Sequence, residues 1–273
     1  SVTAKLTINI GDGTPTITMP TAGGDGTVVY ESGLPVRGAE SAGSNAAANT
    51  ETTSGTIGFN SPDGVGSVSL GGHVLSTTAQ TFAPELINGV LGQLTAYYSV
   101  NATTGVGSIH YSYTLTDNST GDATSASFAV VVTDTDGDPS AAGNLVISVV
   151  DDVPVARDDV GTIAAAGTQT SGNVVTGAGA GSVADTVGAD GAVVTKVEFG
   201  ATSVNVPAVG TTTINGAYGV LTLAANGTYS YVRNPGSQGG KSDVFTYTLT
   251  DGDTDSVTAK LTINIGDGTP TIT

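Results

Sequence analysis

The sequence predicts an all-β protein built of tandem β-sandwich modules arranged end to end. Three observations lead there. Short runs rich in Val, Thr, Ile and Tyr alternate with Gly-rich turns. Helical periodicity with caps is absent apart from a short stretch around Ala83 to Ile87. The chain also repeats itself at two scales.

The first 18 residues, SVTAKLTINIGDGTPTIT, recur unchanged at Ser256 to Thr273, so the chain reads as an excerpt of a tandem array. A second, diverged repeat sets module boundaries. FAVVVTDTDGD from Phe128, with NLVISVVDDVP ending at Pro154, aligns with FTYTLTDGDTD from Phe245, with KLTINIGDGTP ending at Pro270. Residues 1–14 then form the last strand and linker of a preceding repeat, 15–152 one module, 153–268 a second, and 269–273 the start of the next. The strand in residues 1–10 has no home sheet, and is expected to be disordered or to pair with an exposed edge of another molecule.

Within each module the strand signals follow in order. TIGF, SVSL, LTAYYSV and IHYSYTL precede the Phe128 strand, and VLTL and TYSYV precede the Phe245 strand. Phe128, Val130 and Val132 match Phe245, Tyr247 and Leu249, with an apolar residue at every second place as a half-buried strand requires. Asn226-Gly227 is a two-residue hairpin signal, and Asp63-Gly64, Asn215-Gly216 and Asp190-Gly191 are weaker ones. About seven strands per module is the size of an immunoglobulin-like or cadherin-like sandwich.

Composition narrows the function classes. Net charge is −17, from 24 acidic and 7 basic residues, and the acids are Asp far more than Glu. Such an excess of Asp suits turns and hard-cation ligands, whereas nucleic acid needs the Lys and Arg clusters missing here. Cys is absent, which removes disulfides and thiol chemistry together. No apolar run is long enough to insert in a bilayer as a helix, and neither an amino-terminal secretory signal nor an initiator Met opens the chain.

The aspartates gather in clusters: Asp12; Asp134, Asp136 and Asp138; Asp151, Asp152, Asp158 and Asp159; Asp251, Asp253 and Asp255; and Asp267. In a sandwich of alternating strands, the hairpin joining the last two strands sits at the end where the chain comes in. Asp134, Asp136 and Asp138 are therefore expected to face the junction around Asp12, and Asp251, Asp253 and Asp255 the junction at Asp151-Asp152. The expected ligand set for Ca²⁺ is Asp12, Asp134, Asp136, Asp138, Asp151, Asp152, Asp159, Asp251, Asp253, Asp255 and Asp267, with backbone carbonyls and water completing six to eight oxygens. The plainer reading is that Asp-Gly pairs are ordinary hairpin residues. An EF-hand is excluded, because DTDGD carries its Gly too early and Leu145 falls where the bidentate Glu belongs.

The VVDDVP linker, the D-x-D-G-D loop, YESGLP at Tyr30 to Pro35 and GVLTLAANGTYSYV at Gly219 to Val232 resemble the extender repeats of large LapA-like RTX adhesins. The second module is similar to VCBS or bacterial cadherin-like repeats. The resemblance implies type I secretion, an extracellular protein tethered at a Gram-negative surface, and a monomeric rod stiffened by Ca²⁺, whose partners are neighbouring repeats of the same polypeptide. Ligand binding would lie in end domains, outside the extenders. The repeated linker reads GDGTP, with a single Asp, where the central linker reads DDVP, so a weaker or differently built cation site is expected there. Direct glycan binding is the alternative, opposed by the absence of Trp and the placement of Tyr within strand patterns. A hydrolase is disfavoured: the acids lie on loops rather than in a pocket, and His73 and His110 occur singly within strand-like segments.

Overall fold

A computed structural model of the chain describes residues 3–8 and 11–268 as twenty strands and two short 3-10 turns, with no α-helix among the described residues. None of their helical segments is long and apolar enough to cross a membrane. The residues fall into two compact units. The first takes the described residues up to Leu34 together with Asn49–Asp151; the second takes Pro35–Ala48 together with the described residues from Asp152 onward. Residues 269–273, expected to begin another repeat, lie outside the described residues.

In the first unit, one sheet runs β1 (Thr16–Thr18), β3 (Thr52–Asn60), β9 (Val106–Leu115), β8 (Val90–Val100) and β6 (Gln80–Thr81), with β7 (Glu85–Ile87) also on β8. The other runs β2 (Val28–Tyr30), β11 (Gly143–Val150), β10 (Ser125–Thr133), β4 (Ser67–Leu70) and β5 (His73–Val74). In the second unit, one sheet runs β12 (Asp159–Ile163), β20 (Ser256–Ile265), β19 (Lys241–Asp251), β14 (Ala192–Phe199) and β15 (Thr202–Asn205). Its other sheet is β13 (Gln169–Asn173), β18 (Thr228–Arg233), β17 (Gly219–Ala224) and β16 (Thr211–Asn215). Each unit is thus a two-sheet, all-β sandwich of the immunoglobulin-like, cadherin-like kind.

Strand alternation makes the cores. β10 buries Ala126, Phe128, Val130 and Val132, while β19 buries Phe245, Tyr247 and Leu249. Across the sheets Tyr113 meets Phe128 edge-on at 5.5 Å, and Tyr231 meets Phe245 the same way at 6.1 Å. Both tyrosines end a Tyr-Ser-Tyr segment, and each segment is accommodated by glycines on both neighbouring strands. A Cβ at Gly55 or Gly92 would collide with the Tyr111 or Tyr113 hydroxyl, and one at Gly172 or Gly219 with Tyr229 or Tyr231. Rings this large fit a sheet's inner face only where the strand beside them gives up its side chain.

An early strand of each unit pairs parallel with the last: β2, the second strand of the first unit, with β11, and β12, the first of the second unit, with β20. Parallel pairing runs β12 away from the same end of the sandwich at which the β19–β20 connection turns.

Several local expectations shift. Asn226-Gly227 closes the β17–β18 hairpin with Ala225 as a third loop residue, Gly227 taking φ +81°. Asp63-Gly64 links strands of different sheets, since β3 and β4 never pair. The stretch at Ala83 to Ile87 contains β7. The boundary expected at 15–152 is broken by Pro35–Ala48, which groups with the second unit. Arg37 Nη2 donates to Ala189 O at 3.1 Å, and Ser44 N donates to Asp152 Oδ2 at 2.7 Å. Nothing in VRGAESAGSNAAA alternates, so no periodicity marked where this segment packs.

Overpacking predicts that Gly92→Ala and Gly219→Ala each cost about 1–3 kcal/mol of unfolding free energy. Gly58→Ala, whose nearest neighbour would be Thr18 Cβ at 3.8 Å, should be neutral. Urea unfolding of the three variants checks this.

Candidate metal centres

The inward-facing series on β10 runs Ala126, Phe128, Val130, Val132, and its next member is Asp134; on β19 it runs Phe245, Tyr247, Leu249, and its next member is Asp251. The alternation that builds each core therefore drives one carboxylate into each sandwich end. Asp134 is 2% exposed and Asp251 9%.

Around Asp134 the loop closes tightly. Asp134 N donates to Asp138 O at 3.1 Å, while Asp134 Oδ1 accepts from Gly137 N at 3.0 Å and Asp138 N at 2.8 Å. Gly137 at φ +106° makes the turn possible. Asp134 Oδ2 is buried with no hydrogen-bond partner. Asp12, Asp134, Asp136 and Asp138 each bring a carboxylate oxygen within 4.8 Å of the others. Asp12 is positioned by Asp63, an aspartate of an Asp-Gly turn: Gly13 N donates to Asp63 Oδ2 at 2.6 Å, and Thr135 Oγ1 donates to Asp63 O at 2.5 Å.

The second unit repeats the device with different residues between the acids. Asp251 N donates to Asp255 O at 3.1 Å, and Asp251 Oδ1 accepts from Asp255 N at 2.7 Å. Oxygens of Asp251, Asp253 and Asp255 lie within 4.8 Å of one another, and Asp251 Oδ2 is buried without a donor. The tight conformation falls on Thr254, at φ +91°, where the first loop uses glycine.

The other buried aspartates are satisfied on both oxygens. Asp152 accepts from Ser44 N and Ser44 Oγ. Asp159 accepts from Val183 N at 3.1 Å and from the Tyr247 hydroxyl at 3.1 Å. Asp243 accepts from Ala217 N, Tyr218 N and the Tyr231 hydroxyl, at 3.0, 3.0 and 2.6 Å. Asp152 and Asp159, expected as ligands, each have both carboxylate oxygens hydrogen-bonded to a donor of the protein. Asp267, the repeat copy of Asp12, follows β20 beside Gly239 and Gly240 and belongs to none of the groups of three or more clustered acids among the described residues. Asp151 is the last residue of the first unit, next after β11. The histidines sit in strands: His73 is 2.8 Å from Glu85 and stacks on Phe82, while His110 stacks on Tyr97 and lies 3.0 Å from Ser99 Oγ.

Crowded carboxylates resist losing their last protons. Asp136 is pushed up to about 6, first by its contact with Asp134, which is itself held below the usual range by the same contact. Asp12 is raised, chiefly by Asp138. Asp251 is pushed up to about 7 by burial and then by Asp253. Asp159 is pushed up to about 6 by burial.

No protein-family model and no curated protein sequence matches the chain. Solved structures give distant likenesses. The D00-D0 domain of Intimin is 14% identical, covering 91% of this chain and 98% of that one at a TM-score of 0.30. The N-terminal Ig1-2 module of Drosophila receptor protein tyrosine phosphatase DLAR is 10% identical over 93% of this chain and 100% of that one, TM-score 0.24. Protocadherin Gamma B7 extracellular cadherin domains 1–4 are 12% identical over 93% of this chain, which spans 51% of theirs, TM-score 0.26. The fold stands on the sheets themselves.

A group whose pKa is raised on folding favours the folded state while protonated and loses that contribution as pH climbs through the raised value. Metal-free protein should therefore lose stability from about pH 4 to about pH 7, the interval between the ordinary Asp value and that of Asp251. Asp251→Asn and Asp136→Asn should flatten the decline, as melting curves in EDTA across that range will record.

Proposed function

We propose that this chain is a non-enzymatic extender of a bacterial cell-surface adhesin, exported by a type I system and stiffened by Ca²⁺ held on acidic loops at the ends of its sandwiches. The observation that carries the reading is Asp134 Oδ2: a buried carboxylate oxygen without a donor, facing three further acids within 4.8 Å. Burying such an oxygen unpaired is costly, and a hard cation removes the cost by taking oxygens at about 2.3–2.6 Å. The four carboxylates near Asp134 would supply over half of a calcium shell; Asp251, Asp253 and Asp255 would supply a second, less acidic one. The protein supplies a fixed ring of oxygens on a loop already locked by its own backbone hydrogen bonds, so little ordering remains at binding.

Calcium then acts as a staple suited to a chain without cysteine. Extracellular modules bind Ca²⁺ with dissociation constants of about 10⁻⁴–10⁻³ M, so the site would fill outside the cell and stay empty in the cytosol. Folding and stiffening would thereby follow export.

A second reading, direct ligand binding, is favoured by a groove of about 360 Å³ on the outer face of β3, β9 and β8, where the Tyr97–His110 stack borders the hydroxyls of Ser54, Thr56, Thr95 and Ser112. Saccharides suit such a mixture of aromatic face and hydroxyls. Hits on a glycan array that vanish with Tyr97→Ala would establish this reading; a blank array would remove it.

For the extender reading, Ca²⁺ at a hundredfold excess over its dissociation constant should raise stability by about 2.7 kcal/mol, and Asp134→Asn should abolish most of the first unit's share. Calorimetric titration and thermal melts measure both. A melting temperature and small-angle scattering profile that ignore calcium and EDTA alike would discard the calcium reading.

A further inference from the structure

The two acidic loops are one loop with two residues interchanged. Asp134-Thr135-Asp136-Gly137-Asp138 and Asp251-Gly252-Asp253-Thr254-Asp255 keep their acids in step and swap glycine for threonine at the second and fourth places. Both close in the same way, the first N–H donating to the last carbonyl: Asp134 N to Asp138 O and Asp251 N to Asp255 O, each at 3.1 Å. Both also keep a buried carboxylate oxygen without a donor, Asp134 Oδ2 or Asp251 Oδ2, beside their remaining acids.

The fourth place is left-handed in both loops, and there the interchange has a cost. Gly137 takes φ +106° and Thr254 φ +91°. Glycine enters that region freely, whereas a β-branched residue is an outlier that its surroundings must hold in place for as long as the loop stays closed. Thr254 is exposed, so no burial of its side chain offsets the strain. The second loop is also held by fewer bonds. Among the described residues, Asp251 Oδ1 takes one backbone donor, Asp255 N at 2.7 Å, where Asp134 Oδ1 takes two, Gly137 N at 3.0 Å and Asp138 N at 2.8 Å.

We infer, resting on the calcium reading proposed above, that Thr254 sets the affinity of the second loop: loop 251–255 is a low-affinity calcium switch, open while empty, which fills after loop 134–138. A cation that binds only the closed loop must drive its closure, so apparent affinity is lowered in proportion to the fraction already closed. Strain of the size carried by such a backbone lowers affinity about 5- to 150-fold. The first loop, relaxed at Gly137, closes without that penalty and fills at lower calcium. The two units then respond to rising calcium in two steps, the first unit's loop before the second's.

The test exchanges the residues of the fourth place in the full chain. Gly137→Thr meets no clash, since a Cβ there has no heavy atom within 4 Å, and Thr254→Gly removes an exposed side chain. Calorimetric calcium titrations read each loop by itself, with Asp251→Asn silencing the second and Asp134→Asn the first. The first loop should bind about fivefold or more tightly than the second; Thr254→Gly should tighten the second, and Gly137→Thr weaken the first, by about the same factor. Hydrogen exchange in EDTA is the second readout: the Asp255 amide should exchange faster than the Asp138 amide, and Thr254→Gly should restore its protection. Calcium bound with equal affinity at both loops, or with affinities that ignore both substitutions, overturns the inference and leaves the calcium reading standing. Absence of calcium binding at either loop overturns both.

Discussion

The structure depends on strand alternation carried one step past the core. Along β10 and β19 every second residue points inward, and at the last inward position the apolar series gives way to Asp134 and Asp251. The backbone cannot rotate that carboxylate outward without putting the preceding apolar residues on the wrong face. Each sandwich end therefore contains a buried acid as a direct result of how its core is built, and the loop that follows must wrap around it.

What separates one buried aspartate from another is the supply of donors. Asp243 and Asp251 occupy inward positions at opposite ends of β19. Asp243 is met by two amides and a tyrosine hydroxyl; the donors around Asp251 reach only Oδ1. The same contrast divides Asp152 and Asp159 from Asp134. Acidity alone does not distinguish these residues, while the sharing of donors over both oxygens does, and a cation is proposed where one buried oxygen is left without a donor.

The two units also show how a repeat diverges without losing its architecture. Tyr113 and Tyr231 occupy equivalent places, each crowded by a glycine and edge-on to a phenylalanine. In the second unit Asp243 accepts from Tyr231; the aligned position in the first is Ala126, which leaves the Tyr113 hydroxyl buried without a partner, and burial pushes its phenol up to about 12. Packing shape is retained in both, whereas polar satisfaction is built in only one.

The sequence by itself determined the all-β class, the alternating core positions, the repeat and the acidic loops, because each of these is written in residues close along the chain: period-2 patterning, Gly-bearing turns and direct identity. Tertiary structure alone decided which aspartates lack donors, since Ser44 lies 108 residues from Asp152 and Tyr247 lies 88 from Asp159. It alone placed Asp63 behind Asp12 and assigned Pro35–Ala48 to the second unit. Hydrogen-bond supply is a property of neighbours brought together by folding, and no local pattern encodes it.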